Sequence, residues 1–168
     1  VDSHDRMYVG DIGYNFFDPT QKPVDTCVIA CVYPDGRARV VAKDLSFPNG
    51  IVITPDGKTM IVAETMGHCL TAFDVQADGS LTNRRVYAQL PEGMGPDGIA
   101  LDAEGAVWFA NPDGKPAVLR VRKGGAEHRQ QELRIHVALR RVARLAHPGL
   151  CGQQPRRGAA LECRGNGL

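Results

Sequence analysis

The chain has 168 residues, 43% of them hydrophobic, and its 20 Lys and Arg against 19 Asp and Glu leave a formal net charge of +1. Length suggests a single domain, and the near-neutral balance gives no reason to expect a nucleic-acid partner. The apolar runs fall far short of the roughly 18 residues that span a bilayer, and the start lacks the regions of a signal peptide, so the expectation is a cytoplasmic chain without a membrane span, a signal upstream of Val1 staying open.

In chain order, Arg6 to Gly10 reads as a short strand, and Asp11 to Pro19, aromatic and rich in turn residues, as a loop. Thr26 to Tyr33 is β-branched and apolar, Pro34-Asp35-Gly36 turns the chain, and Arg37 to Lys43 returns as a hairpin partner. Phe47-Pro48-Asn49-Gly50-Ile51 then opens a unit with a polar corner, followed by strands near Ile51 to Ile53 and Met60 to Glu64 around the turn Pro55-Asp56-Gly57. Cys69 to Val75 and Arg84 to Leu90 complete four strands before Pro96-Asp97-Gly98-Ile99 opens the next unit, which runs on through Trp108 and Phe109 to a last strand at Ala117 to Arg122.

The unit repeats. Pro48 and Pro96, Gly50 and Gly98, Ile51 and Ile99, and Gly57 and Gly105 match at an offset of 48 residues, which becomes 47 at Ala63 and Ala110. Val1 to Asp11 matches only the second half, Asp2 falling on Asp102 and Tyr8 on Trp108, so the chain is expected to begin inside an earlier copy. A period of roughly 40 to 50 residues made of short strands predicts an all-β fold, a β-propeller of four-stranded blades, of which the chain holds about two and a half. No helical stripe in residues 1–125 supports a βαβ alternative.

Composition changes near the end. Residues 1–125 carry 12 basic and 16 acidic side chains, whereas 126–168 carry eight Arg, three Glu and no aromatic residue. The reading divides the chain into a partial propeller, 1–122, and a basic tail, 123–168, disordered or derived from a frameshifted gene end. A basic amphipathic helix with Ile135, Leu139, Val142 and Leu145 on one face, touching acidic lipid or a partner protein, is the alternative for Glu127 to His147. The five cysteines, odd in number and without metal-type spacing, are read as buried or idle thiols.

Pro-Asn-Gly or Pro-Asp-Gly occurs five times, and position separates the copies. Those at Pro34, Pro55 and Pro112 need be no more than turns. Those at Pro48 and Pro96 open the first, channel-lining strands of successive blades, so Asn49 and Asp97 would project from adjacent blades toward one axis. Two converging oxygen donors suit a hard divalent cation; the alternative is that both only brace corners by bonding local backbone. Glu64, at a strand end, is a candidate to support those two, although an exposed or locally bonded carboxylate is the plainer reading. His68 reads as a loop histidine.

Phe47-Pro48-Asn49-Gly50-Ile51, Asn83-Arg84-Arg85 before an outer strand, and Pro96-Asp97-Gly98-Ile99 with Leu101-Asp102-Ala103-Glu104-Gly105-Ala106-Val107-Trp108 resemble the SMP-30/gluconolactonase/LRE-like family of six-bladed propellers. The resemblance covers residues 1 to about 122 and implies a lactonase-like hydrolase with one divalent metal in its channel: Ca²⁺ first, with Mg²⁺, Mn²⁺ or Zn²⁺ as alternatives. It assigns Asn49 as a metal ligand and Asp97 as both metal ligand and general base, and it matches Asn15 loosely to a substrate-contacting position. The family's third ligand, a Glu, belongs to a blade this chain does not contain, and a substrate-contacting Asn-Asp pair would fall before Val1. The implied reaction opens a sugar lactone or related ester by attack of metal-activated water, with the small-molecule lactone or ester as partner. As a partial ring, the chain is expected to be weakly active or inactive alone and to self-associate through exposed blade edges. The competing reading is a non-enzymatic binding module acting through the basic tail.

Overall fold

The computed structural model describes residues 1–15, 17–22, 24, 26–112, 117–125 and, for the backbone, 129–131. The readings of the tail beyond residue 131, together with Cys151 and Cys163, lie outside the described residues, as do residues 113–116 of the Pro112 turn. Eleven strands and no helix occur among those described. They form three antiparallel sheets. The first is β1 (Met7–Asp11), β2 (Cys27–Val32) and β3 (Ala38–Leu45), in that order. The second is β4 (Pro48–Ile53), β5 (Thr59–Glu64), β6 (Cys69–Val75) and β7 (Leu81–Gln89), again in chain order. The third is β8 (Ile99–Leu101), β9 (Val107–Asn111), β10 (Ala117–Val121) and β11 (Arg129–Gln131).

Each sheet is a meander whose neighbouring strands follow one another in sequence, as the four-strand period predicts. The first sheet holds the counterparts of β5, β6 and β7. The structure adds β11, which pairs with β10 from Val118↔Gln131 to Arg120↔Arg129. The boundary read at residue 122 thus falls ahead of a strand of the third blade, and chain contacts group Val1–Glu132 as one unit.

Burial explains why the middle blade reads as unbroken apolar runs. Met60 and Val62 of β5 lie in one cluster with Cys27, Ile29, Leu45 and Phe73, while Ile61 and Ala63 lie in another with Leu70, Val107, Phe109 and Leu119. Alternate residues of one strand therefore bury against the blade before and the blade after. In β2, whose sheet packs another blade against one face only among the described residues, Cys27, Ile29 and Cys31 are buried and the residues between them are partly exposed. The thiols of Cys27, Cys31 and Cys69 are free, the first two buried, in keeping with the sequence reading. Burial pushes the Cys69 thiol up from its ordinary value.

The hairpin turns follow their residues. Gly36 and Gly57 adopt φ of 83° and 71°, a left-handed conformation open to glycine at little cost. Strand β7 starts three residues earlier than Arg84, because Asn83 takes φ 52° in a bulge and the ladder resumes beyond it.

The match of Asp2 to Asp102 has a structural cause. Asp102 accepts hydrogen bonds from the amides of Glu104 and Ala106, from Trp108 Nε1 at 3.0 Å and from Arg120 Nε at 2.7 Å. Asp2 does the same for His4, Arg6 and Tyr8. The Arg120 guanidinium, with the backbone amides and the indole N–H, holds the Asp102 carboxyl well below the usual carboxylate range. A depressed folded-state pKa stabilises the fold above the unfolded value and loses that contribution as pH falls through it. Asp102→Asn is accordingly expected to lower the urea midpoint at pH 7 and to shrink its drop on going below about pH 4. Equal drops in the two proteins would refute this.

Candidate functional site

The corner Pro48-Asn49-Gly50 lies inside β4, not ahead of it as the sequence suggested. Pairing runs from Pro48↔Glu64 to Ile51↔Val62 with a register shift between, so Asn49 and Gly50 form a bulge. A bulge re-aims the side chain it carries and frees it from the regular pleat. The residue ahead of Pro48, Phe47, is held at φ 60°, an uncommon conformation for a bulky side chain.

Asp97 sits just before β8, its amide donating to Ala110 O at 2.9 Å. The two corners meet directly. Gly50 N donates to Asp97 O at 3.1 Å, an inter-blade bond. Thr65, following β5, adds a second link: its hydroxyl donates to Pro96 O at 2.7 Å, and Asn49 Nδ2 lies 3.4 Å from Thr65 Oγ1. Asn49 and Asp97 are thus tied by two short paths, and both side chains are half-buried.

What sets Asp97 apart is its carboxylate. Asp2, Asp18, Asp74 and Asp102 are also half-buried, and each accepts hydrogen bonds. Among the described residues no hydrogen bond or ion pair reaches the carboxylate of Asp97, nor does any reach Asn49 Oδ1. A corner-bracing role would have used these oxygens on backbone amides. One carboxylate and one amide oxygen, carried on bonded corners and without partners among the described residues, are the donor types that a hard cation such as Ca²⁺ takes. They are an incomplete shell, since the described residues contain no cluster of three or more His, Cys, Asp or Glu.

The remaining candidates fall into supporting places. Glu64 is 3% exposed and locally bonded. Its carboxylate accepts from Ser46 N at 2.7 Å, Thr71 Oγ1 at 2.5 Å and Arg84 Nη2 at 3.0 Å, and so fixes the approach to the Asn49 corner. Asn111, its counterpart in the next blade, accepts from Gly95 N and fixes the approach to Asp97. His68 is more than a loop residue. Its Nδ1 donates to Met94 O at 3.0 Å, which braces the segment ahead of Asp97. Asn15 is exposed, and its Oδ1 accepts from Phe17 N at 3.1 Å. Its loop approaches the first corner through Tyr14, whose ring stands edge-on to Phe47 at 6.2 Å. No contact joins Asn15 itself to Asn49 or Asp97 among the described residues.

Sequence reasoning missed Thr65 and the partnership of Arg84 with Glu64. Thr65 carries no sequence signal, being one hydroxyl after a strand. Arg84 stood in a quoted motif, but its partner lies 20 residues away on another strand.

Comparison with known proteins agrees with this architecture. A 6-deoxy-6-sulfogluconolactonase of Pseudomonas putida is 34% identical over 91 residues, covering 53% of this chain and 31% of that protein. A gluconolactonase structure from Xanthomonas campestris superposes with a TM-score of 0.61 at 27% identity, over 78% of this chain and 44% of the other. The calcium-binding protein regucalcin from Agrobacterium tumefaciens gives 0.56 at 28% identity, over 65% of this chain and 37% of its own. The chain spans about a third of the length of the curated relatives it matches. The SMP-30/Gluconolactonase/LRE-like region matches residues 1–146. With blades, corners and repeat all in agreement, the chain belongs to the SMP-30/gluconolactonase/LRE-like family.

Proposed function

We propose that this chain carries part of the site of a metal-dependent lactonase, with Asn49 and Asp97 as two of the oxygen donors to one divalent cation, Ca²⁺ in the first place. The carrying observation is the half-buried Asp97 carboxylate, partnerless among the described residues, on a corner that Gly50 and Thr65 tie to the corner of Asn49, whose Oδ1 is equally without a partner there. The similarity to two lactonases and to a calcium-binding protein supports the class of substrate and of ion.

When bound, such a cation supplies Lewis acidity toward an ester carbonyl oxygen. Asp97, without a competing donor among the described residues, would take a proton from the attacking water. Asn49 contributes an oxygen without adding negative charge, so the pair carries one charge where two carboxylates would carry two. The Gly50–Asp97 bond and the Thr65 link hold the two donors at fixed spacing, which lowers the ordering cost of binding.

The substrate is a sugar lactone or related ester. Because the chain spans only part of its relatives, turnover by it alone is expected to be weak or absent, and Met7, Val9 and Val40, exposed on the first blade, are where we expect self-association. The reading of a binding module acting through the tail rests on residues outside those described.

Thermal unfolding of the purified chain with and without Ca²⁺, beside hydrolysis of an aldonolactone panel, tests the reading. Ca²⁺ at ten times its Kd should add about 1.4 kcal/mol of stability, and any turnover should require it. Both effects should vanish in Asp97→Ala. A midpoint indifferent to Ca²⁺ would remove the basis for the proposal.

A further inference from the structure

Thr65 stands between the two donors, and its hydrogen bonding carries information about Asn49. A threonine hydroxyl has one proton and can otherwise only accept. Here the proton goes to Pro96 O, which has no donor of its own, at 2.7 Å. Toward Asn49, 3.4 Å away, Thr65 Oγ1 is therefore an acceptor. Only one face of the Asn49 amide suits it: the NH₂ group must be turned to Thr65, and Oδ1 must point away. The flipped amide would set oxygen against oxygen and leave the NH₂ group where a cation would have to approach.

We propose that Thr65 is a positioning residue that fixes the Asn49 amide so that its oxygen, and not its nitrogen, is presented to a divalent cation. This rests on the reading of Asn49 and Asp97 as ligands. The arrangement resolves an intrinsic ambiguity of asparagine as a ligand, since O and N of a side-chain amide have nearly the same shape and exchange by a half-turn. An aspartate has no such ambiguity. Its two oxygens are equivalent, and a site built on it would need no Thr65 to choose between them.

That difference supplies the test. Calorimetric titration with Ca²⁺ alone is run on the full chain, on Thr65→Val and Thr65→Ser, on Asn49→Ala and Asn49→Asp, and on Thr65→Val combined with Asn49→Asp. Thermal midpoints without metal are measured alongside. Thr65→Val, which keeps the shape and removes the hydroxyl, is expected to weaken Ca²⁺ binding about tenfold, on the scale of one lost hydrogen bond. Thr65→Ser should stay within about threefold of the parent. In the Asn49→Asp background, Thr65→Val should change affinity by less than about twofold, because a carboxylate needs no orienting.

An unchanged affinity in Thr65→Val overturns the proposal. So does an equal loss in the Asn49→Asp background, which would mean that Thr65 acts only by holding the fold. Where Thr65→Val does not fold, Thr65→Ala takes its place in the cycle. Failure of the underlying reading looks different: Asn49→Ala would then bind Ca²⁺ as the parent does, or the parent would bind none, and this proposal would fall with it.

Discussion

Gly50→Ala is expected to lower the stability of the chain by about 3 kcal/mol, at the upper end of what overpacking costs, and to move the thermal midpoint by on the order of 10 °C. A Cβ at Gly50 would lie 2.5 Å from Ile99 N, 2.7 Å from Asp97 O and 3.0 Å from Ile99 Cγ1. Two of these atoms are backbone, so no rotamer change relieves the contact. Relief requires separating β4 from β8, and that breaks the bond from Gly50 N to Asp97 O. Stability and Ca²⁺ affinity should therefore fall together, because one movement disrupts the seam between blades and the spacing of Asn49 from Asp97. The internal control is Gly98, the same residue one repeat later. A Cβ there meets nothing within 4 Å and its φ is not left-handed, so Gly98→Ala should stay within about 0.5 kcal/mol. Urea unfolding of the two variants decides it. Similar losses at both positions would show that glycine is needed at the corner for its backbone and not for the close approach of the next blade.

Gly50 and Gly98 also illustrate what one sequence reveals. Their equivalence was legible because a repeat fixes position modulo one blade, and so were the Asp2 and Asp102 hairpins, whose carboxylates act on residues only a few positions on. Turns, strands and blade order all depend on neighbours in sequence. The different surroundings of Gly50 and Gly98 were not legible, because they depend on which strand lies beside each in space. The Asn49 bulge was invisible for a related reason: a one-residue register shift leaves composition and alternation almost unchanged. For the candidate site, the sequence singled out Asn49 and Asp97 through their place in the period. It had no means of showing that Thr65 joins them, that His68 braces Met94, or that Asn15 spends its oxygen on Phe17 N. Strand β11 was missed because Arg129–Gln131 is polar and short, and it is recognised only by its pairing with β10.

The second large effect is expected at Arg84, outside the immediate site. Its Nη2 contacts both oxygens of Glu64, at 3.0 and 3.3 Å, and its Nη1 donates to Asp44 O at 2.7 Å. The Glu64 side chain is 4% exposed and that of Arg84 is 42% exposed, so the pair is buried at its acidic end and wet at its basic end. Removing the arginine leaves a buried carboxylate with only neutral donors, Thr71 and the Ser46 amide, and frees the carbonyl of Asp44, a residue held at φ 57°. Losing a partner of a buried charge is costly even where the intact pair contributes little, and Arg84→Ala should cost about 2 to 3 kcal/mol. Arg84→Lys keeps the charge but not the two-pronged geometry, and should fall between. The diagnostic step is the double variant. Adding Glu64→Gln to Arg84→Ala replaces the stranded anion by a neutral amide and should recover a good part of the loss, although Glu64→Gln alone is destabilising. If Arg84→Ala costs less than about 0.5 kcal/mol, the pair behaves as an exposed ion pair, screened at its wet end. Glu64 would then be held in place by its Ser46 and Thr71 bonds. With the expected cost and rescue, the arginine of the Asn83-Arg84-Arg85 motif acts, through Glu64, as the clamp on the approach to β4 and its Asn49 corner.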